Sequence, residues 1–225
     1  MDIRDKILRG DLPVGVALSR RRLALDLDIS VPPVTEALKR LESEGLVESE
    51  PRAGTRVRVP TRKDVEERYL VREALEVQSA RLFAERATEA EKSEILAMGR
   101  EVDRRYALCE MGEVDREILF AVNTYHMGLH LRIAECGRCG LLRDAIEREQ
   151  VLVFNWLFDT VVDRRTLAAD YHTSLTTALA TGTPERAATA MRQHIRRGLG
   201  QVLEKIDSIG KIPGGWRRRK PGVAG

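Results

Sequence analysis

The chain has 225 residues, 43% hydrophobic and 32% charged, with a formal net charge of +3 at pH 7. This is enough apolar material for one or two globular domains and excludes a disordered chain. No apolar run approaches the ~20 residues of a membrane span, and the opening MDIRDKILRGD lacks the apolar stretch of a secretion signal, so a cytoplasmic protein without a membrane partner is expected. Three cysteines in such a chain point to reduced thiols, not a disulfide framework.

In chain order, Asp2 to Arg9 places Ile3, Ile7 and Leu8 at helical spacing and is stopped by Gly10 and Pro13. Ser19 is placed to cap a second helix, Arg20 to Asp26, with Leu23 and Leu27 inward. Ser30 is placed to cap a third, whose first turn tolerates Pro32 and Pro33 because those amides have no acceptor within the helix. Val34, Ala37, Leu38 and Leu41 form the buried stripe of that helix, which ends at Gly45. Two extended pieces, Leu46 to Glu50 and Thr55 to Val59, joined by Pro-Arg-Ala-Gly, predict a hairpin.

Helix, turn, helix and hairpin in this order form a winged helix-turn-helix, which enters the major groove of DNA with its recognition helix. The exposed residues at the contacting places are Arg20, Arg21 and Arg22, then Val31, Thr35 and Lys39, then Arg52, Arg56 and Arg58, with Glu42, Glu44, Glu48 and Glu50 expected elsewhere. The alternative is a small winged domain used for protein contacts.

Beyond Pro60 the periodicity is helical throughout: Asp64 to Glu85, Glu89 to Met111, Val114 to Ala134, Leu141 to Phe158, Arg165 to Ala180 and Pro184 to Ile209. Six such helices predict an all-α bundle. The expected layout is therefore a mostly α chain, with a winged helix-turn-helix over 1–60, a helical domain over 64–209 and a disordered basic tail over 210–225. The tail, with WRRRKPG at its centre, holds a charge of +5 within 211–225, against +1 for 1–60 and −3 for 61–210. It reads either as a solvated end or as a nonspecific phosphate-binding arm.

All four histidines lie in the helical region: His126, His130, His172 and His194. The first two are one turn apart and share a face, where a buried metal would take one more ligand from each of two later helices. Cys136-Gly-Arg-Cys139 has a metal-like spacing, but a structural zinc site wants four ligands and only Cys109 remains, so small residues at a helix junction is the favoured reading.

ILRGDLPVGVALS followed by RRLALDLDISVPPVTEALKRLESEGLVESEPRAGTRV resembles the DNA-binding domain of GntR-type bacterial transcription regulators over residues 3–58. The resemblance implies operator contacts by Arg21, Ser30, Arg52 and Gly54. Val31 and Thr35 depart from it, standing where the family commonly has arginine. YLVREALEVQSARLFAERAT, HLRIAECGRCGLL and YHTSLTTALATGTPERAATAMRQHI resemble the FadR-type effector domain called FCD, over 64 to about 209. That resemblance implies a divalent metal held by His130, His172 and His194, with His126 where the family usually has a carboxylate or amide and Asn123 as the alternative first ligand. An all-imidazole set suits zinc or nickel better than magnesium or calcium. The alternative is a metal-free pocket that binds an anion through the same imidazoles.

Metal-dependent catalysis is the competing class, but four ligands leave little room for water and no HExxH or GxSxG is present. The expected protein is a homodimeric repressor of double-stranded operator DNA, not an enzyme, responding to a small organic acid. Arg72, within VREALE, is the candidate for the effector carboxylate, and an exposed arginine paired with Glu76 is the alternative.

Overall fold

A computed structural model describes residues 3–52, 54–109, 116–158 and 169–209. It begins with α1 (Ile3–Leu8), β1 (Ala17–Leu18), α2 (Arg20–Asp26), α3 (Val31–Ser43), β2 (Val47–Glu50) and β3 (Gly54–Val57). Ile3, Ile7, Leu18, Leu23, Val34, Leu38, Leu41, Leu46 and Val57 meet in one buried cluster, so the stripe on α3 faces the core that its periodicity demands. β3 pairs antiparallel with β2 and also with β1, giving a three-stranded sheet where a two-stranded hairpin was expected. The turn between β2 and β3 needs left-handed backbone at both Arg52 (φ 66) and Gly54 (φ 88).

Ser19 caps α2, its hydroxyl accepting from the Arg22 amide. Ser30 occupies the corresponding place before α3 but makes no cap hydrogen bond with its side chain. The reason lies in the next residues. A cap hydroxyl accepts from the second or third amide of the helix, and here those positions are Pro32 and Pro33, which have no N–H.

Six further helices follow: α4 (Arg62–Arg86), α5 (Glu89–Cys109), α6 (Arg116–Cys136), α7 (Gly140–Phe158), α8 (Tyr171–Thr181) and α9 (Pro184–Ile209). α4 starts two residues before the expected Asp64, because Thr61 and Asp64 form a reciprocal capping box. α6 runs on to Cys136, and α8 begins at Tyr171; the stretch from Arg165 expected to precede it, like Met111, Val114 and the tail, lies outside the described residues. The long α9 lies along α4, α8 lies against α5, and α6 touches α4, α5 and α7. Val65, Phe83, Ile95, Leu129, Ile133, Leu179 and Met191 fill this second core.

The fold is thus mostly helical, with a small sheet after the helix-turn-helix. No helix among the described residues is long and apolar enough to cross a membrane. Cys136 ends α6 and is buried, which pushes its thiol up to about 11, so the pair with Cys139 sits at a helix junction.

Candidate metal centre and nucleic-acid interface

α6 carries His126 and His130 on one face, α8 carries His172 at its second residue, and α9 carries His194. Three of the four converge. The His126 and His130 Nε2 atoms are 3.0 Å apart, and the His194 Nε2 is 3.2 Å from that of His130. Each of these rings offers a nitrogen within 4.8 Å of the others, a spacing that one metal ion can bridge. His172 stands outside this trio but beside it, its ring centroid 4.4 Å from that of His126. Its Nε2 is buried without a hydrogen-bond partner.

The surrounding groups decide which nitrogen of each ring carries the proton. His172 Nδ1 lies 2.7 Å from Asp103 Oδ1 on α5. Burial opposes ionisation of Asp103, but hydrogen bonds from His172 and Thr173 outweigh it and hold the carboxyl at about 2, so an ionised acceptor faces Nδ1 and the proton must sit there. His130 Nδ1 lies 2.5 Å from Glu76 Oε2. Although burial penalises that carboxylate, Arg72 and His130 beside it hold it well below the usual range, and His130 is fixed the same way.

Tyr106 donates its hydroxyl proton to Asn123 Oδ1 at 2.9 Å, so its contact with His126 Nδ1 at 3.2 Å is made by the imidazole N–H. With Nδ1 of His126, His130 and His172 each facing an oxygen, Nε2 is the nitrogen each ring would turn to a metal. Burial, followed by repulsion from neighbouring histidines, drives His126 and His194 well below the ordinary imidazole value. Nε2 atoms 3.0 Å apart either share a proton between the two rings or, with both protons on Nδ1, turn two lone pairs toward one cation.

The alternative ligand Asn123 is buried, but its amide oxygen is engaged by Tyr106. Arg72 is not the exposed residue of the simpler alternative. It is 8% exposed, its Nε donates to Glu76 Oε1 at 2.9 Å, and its guanidinium lies over the Tyr69 ring. Asp103, Tyr106 and Glu76 were not singled out from the sequence as site residues. The i, i+4 spacing of Arg72 and Glu76 reads only as an ion pair; the i, i+3 spacing of Asp103 and Tyr106 on α5 is the signal that would have placed both on one face.

On the other unit, Arg21 and Arg52 are exposed and carry no ion pair among the described residues. Arg22 pairs with Asp26, Lys39 with Glu36, and Arg20 reaches the Thr55 hydroxyl at 3.3 Å. Arg56 departs from the exposed position expected of it. The register sets Glu48 directly opposite it, and Glu48 and Glu50 hold its guanidinium at 2.7 and 2.8 Å. Arg58 is turned back onto Asp64 at the start of α4.

Residues 1–57 match the family of bacterial regulatory proteins called the gntR family, and residues 67–197 match the FCD domain. A probable D-xylose utilization operon transcriptional repressor of Paenarthrobacter nicotinovorans is 33% identical over 196 residues, 84% of this chain and 80% of the relative. The HTH-type transcriptional regulator LutR of Bacillus subtilis (strain 168) is 27% identical over 213 residues, covering 84% of this chain and 92% of its own. Among solved structures, a GntR transcriptional regulator from Rhodococcus sp. RHA1 superposes with a TM-score of 0.71 at 25% identity, over 90% of this chain and 94% of that one. E. coli McbR/YncC shares the fold at a TM-score of 0.70 and 20% identity, over 89% and 93%. With a helix-turn-helix and wing in front and an all-helical unit behind, the chain belongs to the GntR family of bacterial regulators, carries an FCD domain, and is a DNA-binding transcription regulator, not an enzyme.

Proposed function

We propose that the chain is a homodimeric, ligand-responsive repressor in which a winged unit over 1–60 binds operator DNA and a helical unit over 64–209 senses a small carboxylate at a divalent metal. The convergence of three imidazoles, each with a nitrogen within 4.8 Å of the others and two of them 3.0 Å apart, carries the metal part of this reading. His126, His130 and His194 are the proposed ligands, with His172 as the fourth. Asp103 and Glu76 orient two of them from behind, as carboxylates commonly do for metal-bound histidines. A neutral nitrogen set with no carboxylate in direct contact favours zinc or nickel.

Arg72 supports the effector part. It is a buried cation at the edge of the cluster, and its charge is among the causes that depress His126 and His194. An anion that reaches the metal meets this guanidinium in the same compartment. Repression is supported by the name of the Paenarthrobacter relative. Two-fold symmetry is supported by operator geometry, since paired half-sites multiply the few contacts of one wing unit. On the DNA side the proposal gives the largest share to Arg21 and Arg52, with Arg20, Arg22, Ser30, Thr35, Lys39 and Gly54 beside them. Arg56, already neutralised by two carboxylates, takes the smallest.

Elemental analysis of the purified protein tests the centre. About one transition metal per chain is expected, lost in both His130→Ala and His194→Ala. Full occupancy in those two variants overturns the site.

A further inference from the structure

The first turn of α3 has lost almost every means of donating a hydrogen bond. Val31, Pro32, Pro33 and Val34 have no polar side chain, and the two prolines also lack an amide proton. Thr35 has a hydroxyl, but it donates to the Val31 carbonyl oxygen at 3.1 Å, which commits the proton to the helix itself. Guanine offers only acceptors, O6 and N7, in the major groove, so no side chain between Val31 and Thr35 can donate to it.

What the turn does present is methyl groups. Val31 is 39% exposed. Thr35 is half-buried, and with its hydroxyl fixed toward the backbone its remaining substituent is Cγ2. In the major groove, the base feature complementary to an aliphatic methyl is the C5-methyl group of thymine.

We propose that Val31 and Thr35 are specificity-determining residues that read thymine methyl groups, so that each half-site has T·A pairs where the start of α3 meets the groove. This rests on the reading of α3 as the helix that enters the major groove. The charged residues fix position without reading bases: Arg21 on α2 and Arg52 in the wing turn are exposed, and Lys39, further along α3, is paired with Glu36.

The test uses the full-length protein. Duplexes are enriched from a random pool, and affinity is then measured for the enriched duplex and for copies in which each thymine in turn is replaced by deoxyuridine, which removes only the methyl group. One or two positions per half-site are expected to lose about fourfold in affinity, the equivalent of one buried methyl at ~0.8 kcal/mol. Val31→Ala and Thr35→Ser should each abolish the sensitivity at one of those positions, and Val31→Arg should change the enriched base there to guanine. Wild-type affinity for every deoxyuridine duplex overturns the proposal while leaving DNA binding intact. So does a methyl sensitivity that survives both Val31→Ala and Thr35→Ser. Failure to enrich any duplex overturns the groove reading, and the methyl reading with it.

Discussion

Glu76 Oε2 meets His130 Nδ1 at 2.5 Å, and the other oxygen of the same carboxylate accepts from Arg72 Nε at 2.9 Å. One buried carboxylate therefore joins the candidate metal ligand to the candidate effector arginine. An ionised acceptor beside Nδ1 also favours the His130 tautomer that leaves the lone pair on Nε2.

Removing the charge of either supporting carboxylate should weaken the metal without removing a ligand. Glu76→Gln and Asp103→Asn are each expected to lower affinity by about 10–100-fold, read by competition with a chromophoric chelator. Wild-type affinity in both would show that the histidines need no support from behind.

Acid should destabilise the metal-free protein earlier than a typical domain of this size. The unfolded chain protonates its histidines near the ordinary value of 6.5, whereas burial keeps His126, His172 and His194 neutral to lower pH in the folded state. The unfolded state then binds more protons, and stability falls as pH drops through that value. Asp103, held at about 2, does not titrate in this window. The melting temperature of the metal-free protein should decline from pH 7.5 to pH 5.5, and that of the metal-loaded protein more steeply still; a flat profile of the metal-free protein in scanning calorimetry contradicts the buried neutral set.

Gly99 on α5 lies hard against α8. A Cβ there would lie 2.3 Å from the Thr176 hydroxyl and 3.0 Å from the His172 carbonyl oxygen. Gly99→Ala should therefore destabilise the helical unit by about 1–3 kcal/mol, despite the better helix propensity of alanine, and disturb metal binding through His172. Urea denaturation and metal content check this together, and a stabilised variant would mean that α8 yields freely.

Arg52 combines exposed positive charge with left-handed backbone at φ 66. Arg52→Gly relieves that backbone, and folding stability should be unchanged or rise by up to about 1 kcal/mol. Operator affinity should nevertheless fall, and the salt slope should flatten by about one unit. Loss of stability together with unchanged DNA binding would reverse both assignments.

Arg72→Lys keeps a cation against Glu76, so no buried charge is left alone, but it removes the planar fork that matches a carboxylate. With the small carboxylic acid that most raises the wild-type melting temperature as the probe, the midpoint for release of DNA should rise at least tenfold while operator affinity without the acid stays the same. An unchanged midpoint would place the effector contact elsewhere.

The winged unit was largely legible because its signals are local: the stripe on α3 repeats every turn, and Gly54 marks a backbone that few residues adopt. β1 was not legible, since two residues, Ala17 and Leu18, have no periodicity and become a strand only by pairing with β3. The same limit hid half of the candidate site. His126 and His130 are neighbours on one helix, but Asp103 serves His172 across 69 residues, and that relation exists only once α5 and α8 are packed. Likewise Glu48 looked remote from the arginines of the wing until the strand register set it opposite Arg56.

α4 begins at a locked joint and carries the site partway along its length. Thr61 and Asp64 close its first turn, Arg58 ties the end of the wing to Asp64, and Glu76 lies fifteen residues beyond Thr61 on the same unbroken helix. At ~1.5 Å per residue that is a lever of about 22 Å. A rotation of about 10° about the level of Glu76 would swing Thr61 through about 4 Å, slightly more than the ~3.4 Å rise of one base pair. A small adjustment at the histidines is thus geared up, at the far end of one helix, to the repeat distance of the DNA ladder.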